Sequence, residues 1–310
     1  MKPAQVTALL VAAFLSSIAL GGAPGPVAAE PLETADQHPD LQVPTEQRAR
    51  VYLFRGFAGV VFSRGMDTLA ERIEQAGFSA TVNEAVMCPV IAKDAIRDYR
   101  ANPAPIVAIG HSVGAACALA FAKMLGAENI SVSLLVTTDP NRIAQDVPLN
   151  VARYINIFQS NSVLGGRDVQ PAKGFSGHFA SYDLIEHGDI NHLNIEKQES
   201  IHDQVLTKIQ QLPARTTKAE GETAPIRLVV PADSAIELWD SGMPVAVHHG
   251  DTLQSIAALY QVPLWSLTQI NRISDTKPLS PGQRVIVPRH VVALAATSTG
   301  TLTGQAPARQ

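Results

Sequence analysis

The chain has 310 residues, 46% of them apolar and 17% charged, enough to bury the core of one large domain plus a small one. A net charge of −4 and 5% aromatic residues leave no basic or base-stacking footprint, which argues against a nucleic-acid partner. The nine histidines show no H-E-x-x-H or comparable ligand spacing, so neither a metal nor another cofactor is expected.

Lys2 precedes a nearly unbroken apolar run from Val6 to Leu20, and Val27-Ala28-Ala29 places small residues after it. This pattern predicts an export signal over 1–29, cut near Ala29. The run is short for a bilayer span and Gly and Pro come directly after it, so no stable membrane span is expected after processing. The expected location is periplasmic or extracellular. Residues 30–47, rich in Pro, Glu, Asp and Gln, read as a flexible leader.

From there, short apolar runs alternate with helical periodicity. Val51–Phe54 reads as a strand ending at Arg55-Gly56. Met66, Leu69, Ile73 and Ala76 recur at helical spacing, with Gly77 closing the helix. Phe78–Val82 reads as a strand and Ile91–Tyr99 as a short helix. Pro105–Ile109 suits a fully buried strand, followed by a tight turn and an Ala-rich helix, Ala115–Leu125. Val132–Val136 and Ala152–Phe158 are further strands, and a last helix carries Ile201, Val205, Ile209 and Leu212 on one face. Alternating strands and helices predict an α/β domain over 48–212 with a mostly parallel sheet. Residues 213–243 read as a linker, although Ile226–Val230 and Ile236–Trp239 are apolar enough to pack on something. The tail, 291–310, is expected to be disordered.

Gly110-His111-Ser112-Val113-Gly114 fits G-x-S-x-G. Glycines two before and two after the serine relieve the crowding of a sharp strand-to-helix turn, and the N-terminus of the next helix favours negative charge. Together with its strand and helix this segment resembles the nucleophile turn of the α/β-hydrolase superfamily of lipases, esterases and thioesterases, over about 165 residues. The resemblance implies a minimal α/β-hydrolase-like sheet flanked by helices, and a serine hydrolase acting on an ester or thioester. It assigns Ser112 as nucleophile. Asp139, after the next strand in Thr137-Thr138-Asp139-Pro140, is the best acid; many members place the acid after a later strand, and Asp183 and Asp189 are alternatives. His192, just before the final helix, is the best base, with His187, His178 and His202 as rivals. The oxyanion hole would use the backbone N–H groups of Val113 and Phe57, the latter in Arg55-Gly56-Phe57-Ala58-Gly59, where Arg stands in place of the family's His. No lid insertion is seen, and the front strands of a full-sized hydrolase are missing.

Val247-His248-His249-Gly250-Asp251-Thr252-Leu253, Ser255-Ile256-Ala257, Ile270-Asn271 and Pro281-Gly282-Gln283 through Val287-Pro288 resemble a LysM domain over 244–290, a small βααβ unit. Asp251 or Thr252 would cap its first helix and Pro263 would start the second. The resemblance implies binding of peptidoglycan or another N-acetylglucosamine polymer and association with the cell wall. It points to Gly250, Asp251, Thr252, Leu253 and the stretch from Ile273 to Leu279 as the groove. A non-catalytic wall-binding protein with a hydrolase-like structural domain is the alternative reading.

Cys88 and Cys117 remain open. An exported protein can form such a bond, but Cys117 in an Ala-rich helix equally suits a small buried apolar residue, and spacing does not fix the geometry.

Overall fold

The computed structural model describes residues 48–57, 63–212 and 222–291. The expected signal and leader lie outside them, as do residues 292–310 of the expected tail, Ala58, Gly59 and residues 213–221.

Among the described residues seven strands form one entirely parallel sheet, ordered β2-β1-β3-β4-β5-β6-β7. They are β1 (Arg50–Arg55), β2 (Ser79–Glu84), β3 (Ile106–His111), β4 (Leu134–Thr138), β5 (Arg153–Phe158), β6 (His178–Asp183) and β7 (Ile226–Val229). The α-helices described in this domain are α1 (Gly65–Gln75), α2 (Cys88–Ala101), α3 (Val113–Ala127) and α4 (Glu199–Gln210). Alternation along each strand divides the core in two. Val51, Leu53, Val107, Ile109, Val136 and Ile155 pack with Leu69 and Ile73 of α1 and Ile201 and Val205 of α4. Tyr52, Phe54, Ile106, Ala108, Leu135 and Tyr154 pack on the other side with Ala92 of α2 and Phe121 and Leu125 of α3. Strands β3, β4 and β5 are buried at every position, as expected for the middle of a parallel sheet covered on both faces. The result is a seven-stranded parallel sheet with helices packed on both faces.

Beyond the sheet, β8 (Ser241–Ala246) pairs antiparallel with β9 (Arg284–Arg289), and α5 (Leu253–Tyr260) and α6 (Leu264–Asn271) lie between them in sequence. Thr252 caps α5: its hydroxyl accepts from Ser255 N–H, and the Ser255 hydroxyl accepts from Thr252 N–H in return.

The stretch expected as a linker over 213–243 is structural wherever it is described. Residues 226–229 are the seventh strand, and Leu238 and Trp239 are buried. Their apolar runs pack because β6 would otherwise present an open edge. Polar groups tie the sheet domain to the segments on either side of the βααβ unit. Lys208 on α4 donates to Asp240 Oδ2 at 3.0 Å, which also accepts from Val291 N–H at 2.7 Å. Arg153 donates to the Val291 carbonyl, Tyr182 to the Trp239 carbonyl, and His178 Nδ1 bonds Ser241 Oγ at 2.8 Å. The core on the α1/α4 side runs on without a break into Leu253, Ile256, Leu267, Val285 and Val287 of the βααβ unit.

Cys88 at the start of α2 and Cys117 in α3 are joined by a disulfide, with Cα atoms 5.7 Å apart, within the range such bonds need.

Candidate functional site

Ser112 sits between the end of β3 and the first residue of α3, with φ at 56°. A non-glycine residue held there is strained, and surrounding structure must enforce it. Its neighbours do so. A Cβ on Gly110 would collide with the Gly114 carbonyl, and one on Gly114 with the carbonyls of Phe54 and Arg55. Ser112 N–H donates to the Thr138 carbonyl at 3.0 Å, pinning the turn to β4. Val113 opens the helix, where the first N–H groups have no intrahelical acceptor.

Asp139 comes directly after β4, also left-handed with φ at 42°, and its side chain is fully buried. Oδ2 accepts from Ser162 Oγ and from His192 Nδ1, both at 2.6 Å. Oδ1 accepts from Gly166 N–H at 2.9 Å and Gln159 N–H at 3.1 Å. Burial alone would push this carboxyl up. The hydrogen bonds from His192, Ser162 and Gln159 outweigh it and hold the group below the usual carboxylate range, so it stays ionised. With Nδ1 donating to a carboxylate, a neutral His192 keeps Nε2 as its basic nitrogen.

Ser112, Val113 and His192 line one pocket, together with Gly56, Phe57, Ser63, His111, Asn141, Leu164 and Leu193; its volume is about 480 Å³. Among the described residues no carboxylate, lysine or arginine is on its wall. Phe57, Leu164 and Leu193 stand exposed there, Phe57 at 83%. Among the described residues no hydrogen bond joins Ser112 Oγ to His192; the two share the pocket wall.

The rival groups lie elsewhere. His178 is buried on β6 against Ser241, and His202 is buried in α4 with Nε2 donating to the Glu196 carbonyl. Asp183 accepts from Ser160 and Ile185 N–H, and the Asp189 carbonyl accepts from Asn194; both hold loops in place. The His187 carbonyl accepts from Gln159, and His187 is not among the pocket residues. Arg55 is held by Asp67 and Glu84. Sequence reasoning did not single out Ser162, Gly165, Gln159 or Ser63. Gly165 packs so closely on Asp139 that a Cβ there would collide with its carboxylate. The Gln159 amide spans the Leu184, His187 and Ile190 carbonyls and so shapes the loop that carries His192. Only the glycine pair Gly165-Gly166 was a visible signal of close approach.

In the second unit, Gly250 has φ of 85°, and Asp251 accepts from His248 N–H at 2.7 Å, closing the turn before α5. Leu253 is fully buried, so its side chain belongs to the core and only its backbone could face a sugar. Ile273 is half-buried against the same core.

Residues 246–288 match the LysM domain family. LysM domains bind N-acetylglucosamine-containing glycans and usually occur in extracellular or cell-wall proteins. No curated protein matches the chain in sequence. A solved structure described as a putative hydrolase of the alpha/beta superfamily from Xanthomonas campestris pv. campestris is 14% identical, covering 54% of this chain and 100% of that one with a TM-score of 0.36. No described helix is long and apolar enough to cross a membrane.

Proposed function

We propose that the protein is an exported serine hydrolase that cleaves an ester or thioester through an acyl-enzyme, held at peptidoglycan or a related glycan by its LysM module. The observation that carries this reading is the Asp139–His192 pair, bonded at 2.6 Å, on the same pocket as a serine forced to φ of 56° at the start of a helix. Ser112 Oγ attacks the carbonyl carbon and its proton passes to His192 Nε2, while Asp139 steadies the imidazolium. The oxyanion faces the N–H groups of Val113 and Phe57. His192 then protonates the departing alcohol or thiol. Water attacks the acyl-enzyme by the same route and releases the acid. The uncharged wall and the apolar side chains of Phe57, Val113, Leu164 and Leu193 support an apolar acyl group in preference to a charged one. The disulfide, a bond that persists in oxidising compartments, and the signal-like N-terminus support export.

The non-catalytic alternative draws on the missing Ser112–His192 hydrogen bond, although such bonds are often long before substrate arrives. A fluorophosphonate probe decides between them. The parent protein is expected to label at one site, with Ser112→Ala unlabelled and Asp139→Asn or His192→Ala lowering kcat about ten-thousand-fold. Folded parent protein that takes no label would leave glycan binding as its activity.

A further inference from the structure

His111, the residue before the proposed nucleophile, is 3% exposed and lies between the two loops that complete the site. Its Nε2 is 2.9 Å from the His192 carbonyl, and its Nδ1 is 2.9 Å from Ser63 Oγ. Ser63 Oγ in turn is 3.2 Å from Gly56 N. The chemistry of these groups sets the proton positions. A carbonyl oxygen only accepts, so Nε2 carries the hydrogen. In a neutral ring Nδ1 then accepts, so Ser63 donates its hydroxyl hydrogen and its lone pair takes the Gly56 N–H. Every donor has an acceptor in this one direction, Gly56 to Ser63 to His111 to His192.

The ring is also held by shape. A Cβ on Gly56 would lie 2.9 Å from Nδ1 and 3.3 Å from Ser112 Cβ, so only glycine lets the loop after β1 approach this closely. The His111 and His192 rings lie 4.8 Å apart, centre to centre. Burial, then the nearby His192, holds the His111 pKa down to about 4, against the pull of the His192 carbonyl and Asp139; Lys197 adds slightly to the lowering. The ring is therefore neutral across the working range, as the chain of bonds requires.

From this geometry we infer that Ser63 and His111 are positioning residues. They tie the backbone of Gly56–Phe57 and the backbone of His192 to the turn that carries Ser112. The inference rests on the proposed catalytic role of Ser112. One loop offers an oxyanion donor and the other the base, and a shift of either relative to Ser112 lowers the rate of the chemical step more than it weakens binding.

The test measures kcat and KM on a p-nitrophenyl ester and the rate of fluorophosphonate labelling. Ser63→Ala is expected to lower kcat and labelling rate about tenfold with KM within about twofold, and Ser63→Thr to restore both. His111→Phe keeps a ring of similar shape without its nitrogens and should fall by a similar factor, and the double variant should lose little more than either alone. Unchanged kcat in folded Ser63→Ala, no rescue by Thr, or losses that multiply in the double variant would overturn the inference. Imidazole nitrogen shifts read the same chain without turnover. They should show His111 neutral with its hydrogen on Nε2 at pH 6. A parent protein that takes no label removes the catalytic reading; the nitrogen shifts then still decide the hydrogen-bond chain, which a hydrogen on Nδ1 overturns.

Discussion

Glu196 shows how a single buried side chain couples the stability of the fold to pH. Its side chain is fully buried against the N-terminus of α1, where a Cβ on Gly65 would collide with its carboxylate. Burial raises its pKa to about 7, opposed by Lys197, whose Nζ is 3.8 Å away, and by the Met66 and Gly65 amides. A carboxyl whose folded pKa is raised contributes its stability below about pH 4.5 and loses it as pH climbs through 7. Stability is therefore expected to fall between about pH 4.5 and 7, by up to about 3 kcal/mol. Glu196→Gln should flatten that slope and exceed the parent at about pH 8, in urea unfolding carried out there and at about pH 4.5. Ser112, Asp139 and His192 could be singled out from the sequence because each sits at a position the chain order marks, and the structure bonds the last two and puts the first on the same pocket as His192. The residues that support them could not. Ser162 reaches Asp139 across 23 positions and Ser63 reaches His111 across 48, and no local pattern announces such contacts.

At the scale of elements, the turn between β3 and α3 is the most constrained piece of backbone. Gly114→Ala is expected to cost about 1–3 kcal/mol in thermal unfolding, because the new methyl group must displace the β1 backbone at Phe54 and Arg55. Its activity should fall further than its stability, since the displaced segment leads into Gly56. The strands legible in the sequence were β1 to β5; in β3, β4 and β5 burial on both faces leaves few polar residues to confuse the pattern, while β2 was read from the short apolar run at its start. Strand β6, His-Phe-Ala-Ser-Tyr-Asp, hides its identity: His178, Ser181 and Asp183 make it look like a loop, and only partners at Ser241, Asp168 and Ser160 explain them. Strand β7, four residues long after a polar stretch, is apolar enough to notice, yet nothing local shows that β6 is the strand it pairs with.

For the whole molecule, the sheet domain and the LysM unit share one apolar core, flanked by a buried Lys208–Asp240 pair. Calorimetry is expected to show a single transition for both. Burial lowers the Lys208 pKa while the Asp240 charge holds it up, so removing either partner strands a charge. Asp240→Ala should cost about 3–5 kcal/mol and Lys208→Met with Asp240→Leu together much less. The polar stretch within 213–221 marks a domain boundary by composition, but it lies between α4 and β7, inside the sheet's own connectivity. On the proposed function, this shared core sets the glycan anchor and the pocket at one spacing. An enzyme moored to one glycan strand could reach only acyl groups at a fixed offset, and each new one would require it to let go and land again. Grip and throughput would then oppose each other, and the fastest version of such an enzyme would be a weak binder.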